Sequence, residues 1–176
     1  GRFVCAIPYG LTPEQAAASI LQHVKNGVAL AHKHRLPRRI DDFILEHHGT
    51  MITRYQYNKA IEAAGGDASK VDAAKFRYPG PRPRTRETAL LMLADGAEAR
   101  ARAERPQDDD ALRKVVMSTI ESAQKQGQLA NTQITLRDPG IIADSFVTIL
   151  RGTHHPRVSY PNEESAVTNV LTAPRK

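Results

Sequence analysis

The sequence predicts an all-α protein, folded as a multi-helix bundle. Aromatic residues make up only 5% of the 176 residues and Trp is absent, so the core must come mainly from Ala, Leu, Ile and Val. Ala and Leu are strong helix formers. Signals for helix starts and stops recur at short intervals, and no segment shows the alternation of apolar and polar residues that indicates a strand.

The first helix is predicted to begin after the N-cap Thr12 and to run to about His34. A proline and a capping-box glutamine follow Thr12, and apolar residues then recur at helical spacing. The second helix is predicted to open at Pro37 and to end at Gly49, because glycine is a common residue just beyond a helix.

Thr50 is the expected cap of a third helix that runs to the Ala-Ala-Gly-Gly sequence at residues 63–66, and Ser69 is the expected cap of a short fourth one. Residues 78–83 contain three prolines and must form a stiff loop, since proline lacks an amide donor and restricts the residue before it. Five cations and no acid lie between Lys75 and Arg86, so this loop carries positive charge.

Three further helices are predicted in the second half of the chain, at residues 85–103, 108–126 and 139–150. Aspartates at 108–110 favour a helix start because they complement the helix dipole. From Gly152 onward, prolines and mixed polar residues indicate an extended tail.

Composition restricts the partners. The net charge of +6 and the pI of 9.7 suit a phosphate-bearing partner or a position near a cytoplasmic membrane surface, although ordinary surface charge gives the same totals. The single cysteine, Cys5, excludes an internal disulfide and fits a reducing compartment. No apolar run approaches the ~20 residues that span a bilayer. Few aromatic residues accompany the basic loop, so binding to a nucleic-acid polymer is not expected.

The candidate chemistry is that of a divalent transition metal, with His23, His47, His48 and Asp95 as ligands. His23 lies beside an apolar stripe, where a histidine satisfied by a backbone carbonyl is the alternative. His47 and His48 would point about 100° apart on a regular helix, which disfavours chelation of one ion by both. Asp95 follows an apolar helical stretch, and the alternative there is an exposed helix position or an ion pair with Arg100 or another basic residue.

The remaining histidines are weaker candidates. His32 and His34 lie near a helix C-terminus, where positive charge suits the dipole, and are expected at the surface. His154 and His155 fall in a predicted loop, where a solvated turn is the simpler interpretation.

The sequence resembles the HD-domain phosphohydrolases, specifically the cytoplasmic domain of the seven-transmembrane HD family that hydrolyses cyclic di-AMP. The resemblance includes the Glu-His-His-Gly-Thr sequence at residues 46–50 and the Tyr-Pro-Gly-Pro sequence at residues 78–81. Its other matching stretches are residues 11–14, 23–27, 36–37, 43–45, 87–95, 127–129 and 155–161.

The resemblance implies an HD-domain helical bundle and a two-metal phosphodiesterase, usually with iron or manganese. His23, His47, His48 and Asp95 match four metal-ligating positions of that family. We further hypothesise, from charge alone, that Arg82, Arg84 and Arg86 hold a non-reacting phosphate of the substrate or line the mouth of the site. The substrate expected from the resemblance is a cyclic dinucleotide, and the alternatives are another nucleotide or a non-catalytic module that binds a nucleotide or a partner.

The family's upstream histidine and its His-Asp pair have no counterpart before residue 11. The expected organisation is therefore a divergent segment at 1–10, the C-terminal part of an HD domain at 11–155, incomplete at its N-terminal side, and a tail at 156–176. We expect this chain alone to have little or no activity, and the parent to be anchored in the membrane by an upstream segment, with this domain in the cytoplasm. A homodimer is also expected if the missing helices leave apolar surface exposed.

Overall fold

A computed structural model of the protein describes residues 10–153. The described residues exclude segment 1–10 except for its last residue, and they exclude the predicted tail. Cys5, His154 and His155 also lie outside them. Six α-helices follow one another in the described part: α1 (Pro13–Lys33), α2 (Arg39–Glu46), α3 (Arg54–Ala63), α4 (Arg86–Glu104), α5 (Asp109–Lys125) and α6 (Asp138–Thr153). Between residues 10 and 153, extended backbone pairs only at one isolated bridge, Ile52 with Arg77, so the all-α prediction is confirmed.

Local capping explains the starts of three helices. Thr12 and Thr85 each form a capping box, and the Asp108 carboxylate accepts a hydrogen bond from the Ala111 amide at the start of α5. These bonds satisfy amide groups that have no partner within the helix. The predicted starts of α1, α4 and α5 are therefore confirmed to within a residue.

Two predicted caps are wrong. α3 begins at Arg54, because the Thr50 hydroxyl is engaged by Gln128 rather than by a helix start. The short helix near Ser69 is a 3₁₀ helix, Ala68–Lys70, and Asp67 caps it through the Ser69 amide. A second 3₁₀ helix, Ala73–Phe76, precedes the proline loop.

The helices form two apolar cores with α2 between them. The larger core is shared by α4, α5 and α6, and the smaller one packs α1 and α3 around the fully buried Phe76. α2 contacts α1 on one side and α4 on the other. The last residue of α2, Glu46, is buried, and the two histidines that follow it therefore lie at the junction of the cores.

The proline loop, residues 78–83, and the residue Phe76 before it are hydrogen-bonded to the segment that follows α2. The Thr53 amide donates to the Phe76 carbonyl, and the Tyr78 amide donates to the Met51 carbonyl. This pairing brings the Tyr78 ring beside His48. Within residues 10–153, no helix has both the length and the apolar character needed to cross a bilayer.

Candidate metal centre

His47 and His48 lie on the turn that follows α2 rather than inside a regular helix. α2 ends at Glu46, and Gly49, with φ +52°, turns the chain away. The two imidazole rings have centroids 4.0 Å apart. The geometry of a regular helix, from which a separation of about 100° was expected, therefore does not apply to this pair.

His23, on α1, faces His47 across the junction. Its Nδ1 lies 2.5 Å from the Ile20 carbonyl oxygen, and the Nδ1 of His47 lies 2.7 Å from the Ile44 carbonyl oxygen. With a proton on each Nδ1, both rings donate to the backbone and both Nε2 atoms carry a lone pair. The two Nε2 atoms are 3.1 Å apart.

This separation is the one expected for two ligands of a single ion. Imidazole nitrogens about 2.1 Å from a metal, with an angle between tetrahedral and square, lie about 3.0–3.4 Å from each other. Histidines that ligate metals also donate their second ring N–H to a carbonyl or a carboxylate. The carbonyl contact foreseen as an alternative for His23 thus occurs together with the ligand geometry.

The His48 ring is held between two other rings. Tyr78, itself buried, stacks on it with centroids 4.2 Å apart and an interplanar angle of 26°, and His47 lies on another side. Burial, reinforced by His47 and His23, lowers the pKa of His48 from 6.5 to about 3. Burial also lowers the pKa of His47, against the opposing effect of its hydrogen bond to Ile44. Both rings are therefore neutral at pH 7, the form that binds metal.

Asp95 lies at the edge of this group. Its Oδ2 is 3.6 Å from the Nδ1 of His48, too long for a hydrogen bond, and its side chain is 48% exposed. Partial burial raises the pKa of the carboxyl, and nearby His47 opposes the shift. Of the alternatives for Asp95, the pairing with Arg100 does not occur, since Arg100 contacts Glu104, whereas the exposed helix position does occur.

Among the described residues, one set of histidine, cysteine and acidic side chains has the spacing of a metal site. His23, His47 and His48 each offer a ligand atom, and the three atoms lie within 4.8 Å of one another. The donor set fits a divalent transition metal, for which imidazole is a preferred ligand. Asp95 adjoins the set through His48. His32 and His34 are exposed as expected, and His32 pairs with Asp41.

Glu46 is a residue of this site that the sequence did not lead us to predict. Its side chain is 2% exposed, and its Oε2 accepts hydrogen bonds from the Arg84 amide at 2.9 Å and from the Thr88 hydroxyl at 2.7 Å. The available signal was a glutamate directly before two histidines and one turn after the apolar Phe43.

Gln128 was also missed as part of this region, although it lies in a stretch that contributes to the family resemblance. Its side chain is 1% exposed, and its amide group binds the Thr50 amide and hydroxyl. A Cβ on Gly49 would overlap the Oε1 of Gln128, so any larger residue at the turn would have to displace that amide.

The arginines of the basic loop have different partners. Arg82 donates to the Thr50 hydroxyl, and Arg77 donates to the Thr50 carbonyl, so both lie over the turn that carries His48. The Arg84 side chain reaches to 3.8 Å from Glu46, and Arg86 is paired at 2.6 Å with the buried Asp138.

An open apolar groove of about 230 Å³ adjoins the histidines and is lined by Phe43, Ile44, His47 and Leu91. Its volume is below that of pockets that enclose a whole drug-sized ligand, and it therefore suits a single ring system.

No protein-family model matches the sequence. The chain is 33% identical to the cyclic-di-AMP phosphodiesterase PgpH of Listeria monocytogenes over 154 residues, which cover 88% of this chain and 21% of that protein. It is 29% identical to PgpH of Bacillus subtilis over 157 residues, or 89% of this chain and 22% of that protein. An uncharacterised protein of Synechocystis sp. is 35% identical over 156 residues, or 88% and 19%. The chain thus spans about a fifth of the length of the curated relatives it matches.

The fold is similar to solved structures of one domain. The HD domain of L. monocytogenes PgpH in complex with cyclic-di-AMP aligns with a TM-score of 0.74 and 33% identity, over 85% of this chain and 68% of that one. A second crystal structure of that HD domain aligns with a TM-score of 0.73 and 32% identity, over 85% and 69%.

Proposed function

Because this chain belongs to the family of PgpH HD domains, a group of metal-dependent phosphohydrolases, we propose that its parent protein hydrolyses a phosphodiester bond of cyclic di-AMP. The family membership was expected from the sequence resemblance and is confirmed. The relatives named PgpH are cyclic-di-AMP phosphodiesterases, and the solved domain binds cyclic-di-AMP. The extension of that substrate to this chain is our proposal.

One observation carries the proposal. Two imidazole nitrogens, on His23 and His47, face each other at 3.1 Å while the opposite nitrogen of each ring faces a backbone carbonyl. A proton on one Nε2 would make this contact a hydrogen bond, and with both nitrogens unprotonated a divalent ion held by His23 and His47 would satisfy both lone pairs. Bound there, such an ion supplies Lewis acidity to a phosphoryl oxygen and lowers the pKa of the attacking water.

The surroundings suit a nucleotide phosphodiester. Arg77 and Arg82 provide positive charge over the Thr50 side of the site, where a phosphate that does not react can be held. The groove lined by Phe43 and Leu91 provides an apolar face for a base. Of the three arginines hypothesised from the sequence, we retain Arg82 as the main candidate, because Arg86 is already neutralised by Asp138 and Arg84 adjoins Glu46.

We propose two ions, iron or manganese, as in the family that the sequence resembles. His23, His47, His48 and Asp95 remain the proposed ligands from this chain. Four donors are too few for two ions that each take four or more ligands. We propose that water, substrate oxygens and side chains from outside residues 10–153 fill the remaining positions.

The test compares the full-length parent with two matched histidine variants. Cyclic di-AMP is incubated with each protein and Mn²⁺ or Fe²⁺, and the linear dinucleotide product is quantified by chromatography. His47→Ala should lower kcat/KM by more than about a hundredfold, since even the outer partners of metal ligands account for 10- to 100-fold. His32→Ala, at an exposed histidine, should leave it unchanged.

A full-length protein that binds cyclic di-AMP without hydrolysing it would refute the enzymatic proposal in favour of a binding module. Equal loss in the two variants would refute the role of His47. The chain alone should turn over slowly or not at all, because its ligand set is incomplete.

We also propose that the parent is anchored in the membrane by a segment upstream of this chain, with the present domain in the cytoplasm. Support comes from the sequence resemblance to the seven-transmembrane HD family. Exposed apolar side chains on and beside α6, at Leu136, Ile141 and Ile149, support association of the chain into a dimer. Membrane fractionation of cells and light scattering on the purified chain test the two points, and a soluble parent or a monomer would contradict them.

A further inference from the structure

Glu46 is a carboxylate that the proposed ligand set does not use. It is the last residue of α2, directly precedes His47 and is 2% exposed. Burying a carboxylate is costly unless its oxygens are hydrogen-bonded, and an apolar residue of similar volume would avoid the cost. Its presence therefore indicates a geometric role.

The two hydrogen bonds of Glu46 reach distant parts of the chain. Its Oε2 accepts from the Arg84 amide, 38 residues away, and from the Thr88 hydroxyl, 42 residues away. Thr88 is fully buried in the first turn of α4, so Glu46 joins the end of α2 to the beginning of α4.

Thr88 and Asp95 lie on the same face of α4, because seven residues make about two helical turns. α2 and the turn after it therefore contact α4 at two points, Glu46 with Thr88 and His48 with Asp95. The first contact is buried and hydrogen-bonded. The second is looser, at 3.6 Å, and half of the Asp95 side chain is exposed.

We propose that Glu46 is a positioning residue of the metal centre, which fixes α2 against α4 so that His47 and His48 face Asp95. This inference rests on the proposed metal centre and assigns to Glu46 the geometry of the ligands rather than contact with the ion. The hydrogen bond from the Arg84 amide also connects Glu46 to the end of the basic loop.

The experiment measures binding of Co²⁺ alone to the purified full-length parent, by titration and by the visible absorption spectrum of the bound ion. Glu46→Leu should weaken Co²⁺ binding 10- to 100-fold, the usual effect of losing an outer partner of metal ligands, and should alter the spectrum. Glu46→Gln retains an acceptor for both bonds and should restore most of the affinity.

Asp138→Leu is the matched control. Asp138 is also a buried carboxylate that accepts from an arginine and a threonine, but it joins α4 to the start of α6. It should lower the unfolding temperature without changing Co²⁺ affinity or the spectrum. Equal weakening by Glu46→Leu and Asp138→Leu would mean general destabilisation and would overturn the proposal.

Thr88→Val covers the case in which Glu46→Leu does not fold, because it removes the hydrogen bond from Thr88 to Glu46 and leaves the bond from the Arg84 amide in place. It should weaken Co²⁺ binding in the same direction, and unchanged affinity in this variant would overturn the proposal. A wild-type full-length parent that binds no Co²⁺ would refute the metal centre itself, and the role of Glu46 with it. Normal wild-type binding without any contrast between the variants would refute the role of Glu46 alone.

Discussion

Replacing Gly49 with alanine is expected to lower the free energy of unfolding by about 2–4 kcal/mol. Gly49 has φ +52°, and an L-residue in this left-handed region costs about 1–2 kcal/mol. A Cβ would also overlap the Oε1 of Gln128, which is held in place by its bonds to Thr50. Displacing that amide loses one or two hydrogen bonds at about 1 kcal/mol each.

The assay is thermal unfolding followed by circular dichroism, with Gly65→Ala as the matched control. Gly65 has φ +76°, and no heavy atom lies within 4 Å of the place that an alanine methyl group would occupy, so alanine there should cost only the backbone strain of about 1–2 kcal/mol. For a chain of this size, each kcal/mol shifts Tm by about 2–4 °C, so Gly49→Ala should lower Tm by about 4–16 °C.

Two results would refute the reasoning. Gly49→Ala could prove no more destabilising than Gly65→Ala, which would remove the steric part of the cost. Alternatively, Gly49→Ala could remain as costly in a Gln128→Ala background as in the wild-type chain. In that background the overlap is relieved, and coupling between two residues in contact should appear as non-additivity.

Three further outcomes are expected. Tyr78→Ala should weaken Co²⁺ binding in a direct titration because it removes the ring stacked on His48, and Tyr78→Phe should bind more tightly than Tyr78→Ala. The metal-free chain should lose stability as pH falls from 6.5 toward 3, by at most about 1.4 kcal/mol per pH unit from His48, because the unfolded state protonates His48 at pH 6.5 and the folded state only near pH 3. Denaturant titrations at several pH values should show this slope reduced in His48→Phe. Arg82→Ala in the full-length parent should raise KM for cyclic di-AMP, whereas Arg86→Ala should leave KM unchanged and lower Tm by leaving the buried Asp138 without its cation. An unchanged KM in Arg82→Ala together with a raised KM in Arg86→Ala would contradict the placement of the phosphate.

The sequence was sufficient where a structure is determined by neighbours in the chain. Thr12, Thr85 and Asp108 cap helices through residues three positions away, so their roles follow from local spacing. Glu98 and Arg102, four residues apart on α4, form an ion pair that depends on the same local spacing.

The sequence was insufficient where distant segments compete for the same group. Threonine is a common helix cap, but the hydroxyl and the amide of Thr50 are hydrogen-bonded to Gln128, 78 residues away. The burial of Glu46 depends equally on contacts across 38 and 42 residues. The position of Tyr78 on His48 follows from the backbone pairing of two loops, which no local pattern indicates.

The position of α2 between the two cores makes the histidine turn sensitive to assembly of the whole domain. An eight-residue helix without a side-chain cap is not stable by itself, so α2 depends on its contacts with α1 and α4. A state in which only one core has formed would leave His23 or Asp95 away from the turn. By thermodynamic linkage, an ion that binds the assembled site would in turn favour the docking of the two cores. Metal occupancy and cooperative folding should therefore rise and fall together.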